Sequence, residues 1–231
     1  MLIPLHSRSL RGILLGGLAA AALATPALAG TSDQTVTFKI TIANVSKNDT
    51  LQVPGGAATK APIAPGVYVV SREATTVFAP GKPAGTDGLE ALAEDGNSEA
   101  LLKALQAKYG DEADMFAPGL EFEIKAKPGE RLSFATMFVQ SNDKFYGPAD
   151  GGIALFDANG KPLSGDLTNM VRLYDAGTEK DELPGAGPNQ APRQKGMNQG
   201  PSEGGKVRPA DDGFTYPSVG SVIKLTVTPA S

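Results

Sequence analysis

"LEFEIKAKPGERLSFATMFVQ", residues 120–140, places two kinds of strand on either side of one turn. In 120–127, Leu120, Phe122, Ile124 and Ala126 alternate with Glu121, Glu123, Lys125 and Lys127. Successive side chains of a strand point to opposite faces, so this period of two predicts one apolar face and one wet face. Pro128-Gly129-Glu130 supplies the turn. In "RLSFATMFVQ" (131–140) apolar residues occupy both faces, the pattern of a central strand covered on each side.

The rest of the chain repeats the first pattern. "TVTFKITIAN" (35–44) sets Val36, Phe38, Ile40 and Ile42 against Thr37, Lys39 and Thr41, and "SVIKLTVTP" (221–229) alternates in the same way. "GIALFD" and "KPLSG" flank Asn159-Gly160, a hairpin-turn dipeptide. Strand signals with little helix between them predict an all-β, antiparallel β-sandwich, with the first and last strands within or beside one sheet. A small helical insertion is expected at 86–110. Asp87 and Glu90 form a capping box with Gly96 as the stop, and a second helix runs from Asn97 to Gly110. This helical hairpin is expected to cover an edge or an open end of the sandwich. Residues 181–220 hold 6 Pro and 8 Gly with few large apolar side chains before Phe214, so they are expected to form a long surface loop or flap.

The N-terminus reads as a secretory signal peptide over 1–29. Arg8 and Arg11 precede the apolar run "GILLGGLAAAALA" (12–24), and Ala27-Leu28-Ala29 offers small residues for cleavage after Ala29. The protein is therefore expected to be secreted or periplasmic, with residues 30–231 as one domain and no membrane insertion after cleavage. The 21 Lys and Arg against 25 Asp and Glu give a net charge of −4. Loss of Arg8 and Arg11 deepens that charge, which disfavours nucleic acid as a partner. Cysteine is absent and the one histidine, His6, lies in the expected leader. That excludes a Ser-His-Asp triad, a thiol nucleophile and a His/Cys metal site in the mature chain. The chemistry left is that of oxygen, and the metal it suits is a hard cation such as Ca²⁺.

Three acidic stretches could use it. Asp157 and Asn159 in "FDANG" lack the bidentate Glu of a calcium loop, since position 168 is Thr, and a turn already explains them. Asp143 follows the central strand in "QSNDKFYG" (140–147), and Asp175 and Glu179 lie at and beyond the end of "MVRLY" in "YDAGTEKDE" (174–182). Two loops at one end of a sandwich can converge on one ion. From the residues alone, a hard-cation site and a hydrated acidic edge are equally good readings. Asp181 and Glu182 read as the solvated start of the long loop, and Phe145 and Tyr146 as core closure rather than a recognition pair.

The strings "LSFATMFVQSNDKFYG", "YDAGTEKDE" and "FAPGKPAGTDGLEALAEDGNSEALLKAL" together resemble a bacterial member of the spondin domain family, over about Val36 to Val227. The resemblance implies a C2-like β-sandwich acting as a binding or adhesion module, with one Ca²⁺ held by loop acids. Carried over position by position, those acids are Asp143, Asp175 and Glu179. Two positions depart from the animal pattern: Glu179 stands where Asp is usual, and Lys144 stands where Trp follows the "S-x-D" motif. The implied partner is an extracellular or envelope ligand, protein or glycan. The alternatives from other classes are a secreted carboxylate-dependent hydrolase of glycosidase type and a metal-free structural envelope protein.

Overall fold

The computed structural model describes residues 34–230. The expected signal peptide lies outside the described residues. Among those described, no helix is long and apolar enough to cross a membrane.

Among the described residues, eleven strands form two antiparallel sheets. They are β1 (Val36–Asn44), β2 (Gly66–Ser71), β3 (Ala113–Phe116), β4 (Glu121–Ala126), β5 (Arg131–Met137), β6 (Lys144–Pro148), β7 (Ile153–Ala154), β8 (Gly165–Asp166), β9 (Val171–Asp175), β10 (Arg208–Pro209) and β11 (Ile223–Pro229). One sheet runs β4-β1-β11-β8; the other runs β10-β9-β6-β5-β2-β3, with β7 paired to β5. The first and last strands are partners, with Ile40 opposite Val227.

The alternating strands behave as their pattern requires. Phe38, Ile40 and Ile42 of β1, Ile124 and Ala126 of β4, and Ile223, Leu225 and Val227 of β11 are buried against the second sheet. They meet Tyr68 and Val70 of β2, Leu132 and Phe134 of β5, and Tyr146 of β6. Each large aliphatic or aromatic side chain withdrawn from water here contributes roughly 1.5–3 kcal/mol. Leu120 is the exception: β4 begins one residue later, and its side chain remains exposed.

The second sheet is covered on both faces, which explains the two-sided apolar pattern of β5. Its outer face carries Val67 and Val69 of β2, Ala135 of β5 and Phe145 of β6. Two helices, α1 (Leu89–Asp95) and α2 (Glu99–Tyr109), lay Leu89, Leu92, Leu101 and Leu105 on that face. The helical pair thus covers a sheet face, not the edge or open end expected, because β2, β5 and β6 present apolar side chains outward and need a lid. The expected capping box is also absent. Gly88 is the N-cap of α1, in a left-handed conformation with no side-chain cap, whereas Gly96 does end the helix as expected. Phe145 and Tyr146 are both fully buried core residues.

Residues 181–220 contain only the two-residue strand β10 as regular strand, yet they are not uniformly a surface loop. Val207 joins the outer-face cluster, and Gln190 is fully buried. The Asp157 turn is local, as expected: its carboxylate accepts N–H bonds from Asn159 (2.8 Å) and Lys161 (2.9 Å).

Candidate functional site

Strand register, rather than any one loop, gathers the charges. β6 and β9 are antiparallel with Lys144 opposite Asp175, and β9 pairs with β10 so that Asp175 also faces Arg208. Asp143 immediately precedes β6. One end of the sheet therefore brings Asp143, Lys144, Asp175 and Arg208 together without any side chain having to reach far.

Lys144 occupies the centre. Its side chain is only 1% exposed, and Nζ lies 2.9 Å from Asp175 Oδ2, 3.3 Å from Asp212 Oδ2 and 3.4 Å from Asp143 Oδ1. Asp181 is a fourth carboxylate partner. Arg208 closes a second junction, 2.7 Å from Asp175 and 2.9 Å from Glu203. Two trios of acids bring oxygens within 4.8 Å of one another: Asp143, Asp175 and Glu203, and Asp175, Asp181 and Asp212.

The remaining carboxylate oxygens order backbone. Asp143 Oδ2 accepts the N–H groups of Thr178 (2.8 Å) and Glu179 (3.2 Å), and Asp175 Oδ1 accepts that of Gly177 (2.6 Å). Gly177 has φ 71°, and a Cβ there would lie 2.5 Å from the backbone nitrogen of Lys206, so the close return of the loop requires glycine. Further out, Glu182 accepts two bonds from Asn189, Arg193 donates to Gln140, and Gln194 donates to Asp95 of α1. The long segment is thus stitched to the end of the sheet by side-chain bonds together with backbone bonds, such as Glu203 N–H to the Thr178 carbonyl (2.8 Å), and by Val207 in the outer-face cluster.

Protonation follows from burial and neighbours. Burial alone would lower the pKa of Lys144, but Asp143, Asp175 and Asp181 outweigh it and hold the ammonium above its ordinary value. Burial, with Asp143 adding, pushes Asp175 up to about 6 against the pull of Lys144. Burial also raises Asp181, whereas Asp212 ends below its usual range because the Tyr216 hydroxyl, the Phe214 N–H and Lys144 outweigh its burial.

Of the three residues anticipated as ligands, Asp143 and Asp175 come together and Glu179 turns aside. Its carboxylate accepts the N–H of Gly200 (2.7 Å) and the side-chain amide of Asn142 (3.2 Å). Asp181, read from the sequence as solvated, is instead a partner of Lys144. Glu203 and Asp212 carried no local signal, since they sit in a segment without periodicity. Beside the cage, Glu94 of α1 is buried with Oε2 lacking any hydrogen-bond partner among the described residues. Burial pushes its carboxyl up to about 8, with Glu179, Glu90 and Asp143 adding and the Thr178 hydroxyl opposing.

The donor set is all hard oxygen, which is calcium chemistry. The arrangement nevertheless does not fit a resident ion. Each trio already contains a protein cation, Lys144 or Arg208, paired with the carboxylate oxygens that an ion would need. Two neighbouring recesses open beside this end, one lined by Glu90, Glu94, Asp95, Met197 and Asn198, the other by Glu90, Gly177, Thr178 and Ser202. No family model matches the chain, and no curated protein matches it significantly.

Proposed function

We propose that this chain is a secreted, non-catalytic binding or adhesion module of the spondin type, whose recognition surface is the loop end fixed around Lys144. The observation that carries the reading is that the acids at this end point inward, onto Lys144, Arg208 and backbone N–H groups. A catalytic carboxylate pair needs a face toward substrate, whereas Asp143 and Asp175 hold the backbone of Thr178 and Gly177, which line one of the two recesses. Rigid, pre-ordered loops lower the entropy cost of binding, which is the physical use of such a cage in a recognition module. The recesses carry Glu90 and Asp95 with no Lys or Arg among their lining residues, so cationic or hydroxyl-rich groups of a protein or glycan are the chemistry they suit.

The test is a panel of purified glycans and envelope or matrix polymers, read by surface binding. Saturable binding is expected, weakened at least tenfold by Glu90→Lys and unaffected by EDTA. Failure of the wild-type protein to bind any of them would overturn the reading. Glu94 gives the hydrolase alternative its specific support, since a buried, proton-holding carboxyl is what a general acid requires. Turnover of a glycan that is lost in Glu94→Gln would establish that alternative instead.

A further inference from the structure

We infer that the Lys144 ammonium is a tethered substitute for a divalent cation, and that the aspartates around it become a calcium site once that ammonium is removed. The inference rests on the reading of the cage as the device that fixes the loop end. Its test reads metal rather than ligand, so either can fail alone.

Three observations point the same way. First, geometry: one Nζ atom stands among four carboxylates from three separate stretches, Asp143, then Asp175 and Asp181, then Asp212. A donor atom that satisfies one carboxylate is ordinary; one shared by four carboxylates from three stretches is the coordination role of an ion. Second, charge: five acids (Asp143, Asp175, Asp181, Glu203 and Asp212) face two cations, Lys144 and Arg208. Neutralisation is incomplete, so removing Lys144 leaves a strongly anionic, all-oxygen cage rather than a spent one. Third, burial: the Lys144 side chain has almost no exposure, so its stem is fixed by packing and is not a surface arm that happens to fold inward. The stem belongs to β6, whose next two residues are fully buried in the core.

The consequence is that the loop order of this chain is independent of calcium. An ion bound from solution is lost to chelators or dilution; an ammonium on the backbone is not. The ammonium's three donor hydrogens and single charge suit the spread of 2.9, 3.3 and 3.4 Å, and calcium binding in its absence requires the carboxylates to draw in to about 2.3–2.6 Å.

The experiment compares wild type, Lys144→Met and Lys144→Arg by calorimetric titration with CaCl₂ and by thermal melts in EDTA and in millimolar Ca²⁺. Wild type and Lys144→Arg are expected to take up no calcium and to melt equally in both buffers. Lys144→Met is expected to melt lower in EDTA, to regain several degrees in Ca²⁺, and to bind calcium at least tenfold more tightly than wild type. Adding Asp181→Asn and Asp212→Asn to Lys144→Met should weaken that binding at least tenfold. Recovery of a Lys144→Met protein that folds only in Ca²⁺ also supports the inference. Stoichiometric calcium binding by wild type overturns it. So does a Lys144→Met protein that gains no calcium affinity, or one that fails to fold in either buffer.

Discussion

The slab between the sheets and the cage at their end are built from the same strands, one residue apart. In β6, Phe145 and Tyr146 enter the apolar clusters on opposite faces, while Lys144 just before them is the centre of the cage. In β9, Tyr174 stacks on Phe145 at 5.6 Å and Asp175 next to it holds Lys144 and Arg208. The slab is stabilised by area withdrawn from water, which is non-directional and insensitive to pH. The cage is stabilised by directed bonds between groups whose burial is itself costly, so its strength depends on complete pairing. A sheet can carry both because its register fixes position to a fraction of an ångström, and charges need that more than methyl groups do.

The largest effect should come from the slab. Phe134 is fully buried between the sheets and meets Phe116 edge-on at 6.1 Å. Phe134→Ala is expected to cost about 3–5 kcal/mol in denaturant unfolding, through lost transfer energy and the cavity left behind. The cost should be the same at pH 5 and pH 8, and a strong pH dependence would break the distinction between the regions.

In the cage, Asp143→Ala should come next. It leaves the N–H groups of Thr178 and Glu179 without their acceptor, at about 2–4 kcal/mol for two partly or fully buried donors. Hydrogen exchange at 176–182 should accelerate while β1 and β11 stay protected. Uniform loss of protection would mean that the cage and the slab unfold as one unit.

Glu94 gives the comparison a pH axis. Its folded value of about 8 stands above the ordinary 4.5. Below 4.5 it is protonated in both states, and its favourable contribution is complete. As pH rises from 4.5 through 8, the unfolded chain releases the proton first, so stability falls, and above 8 the loss is complete. Glu94→Gln cannot ionise. Its melting midpoint should match wild type near pH 5 and exceed it by a few degrees near pH 9. Equal midpoints at both pH values would show that the buried carboxyl is not strained. Asp175, raised to about 6, adds a similar fall between about pH 4 and 6 in both proteins, so it does not confuse the difference.

The two regions also differ in how far the amino-acid sequence discloses them. β1, β4 and β11 could be located from alternation because one face of each is wet, and the two-sided pattern of 131–140 ranked β5 as central for the reason observed. "GVYVVS" (66–71) carried no such mark: its buried run is short and both faces are covered, so periodicity is silent there. In the cage, Asp143 and Asp175 were visible because they sit at strand ends. Asp181, Glu203 and Asp212 were not, because their positions depend on how 181–212 returns to the sheet, and no local pattern encodes a return. From the sequence, Lys144 is only a departure from the pattern that the resemblance carries. Only the register Lys144–Asp175 shows it at the centre.

The smallest effect should come from an ion pair that looks like those of the cage. Lys39 and Glu121 lie 3.2 Å apart across β1 and β4, a distance within the range Lys144 makes to its aspartates. Their side chains are 44% and 54% exposed, so water and salt already serve both charges. Glu121→Ala is therefore expected to cost no more than about 0.2–1 kcal/mol, and that cost should vanish in 1 M salt, where screening acts within about 3 Å. The loss caused by Asp143→Ala should persist in the same buffer, because orphaned backbone donors are not repaired by ions in solution. If both losses disappeared with salt, the cage would be surface electrostatics in a deeper position, and distance rather than burial would set the worth of a pair in this molecule.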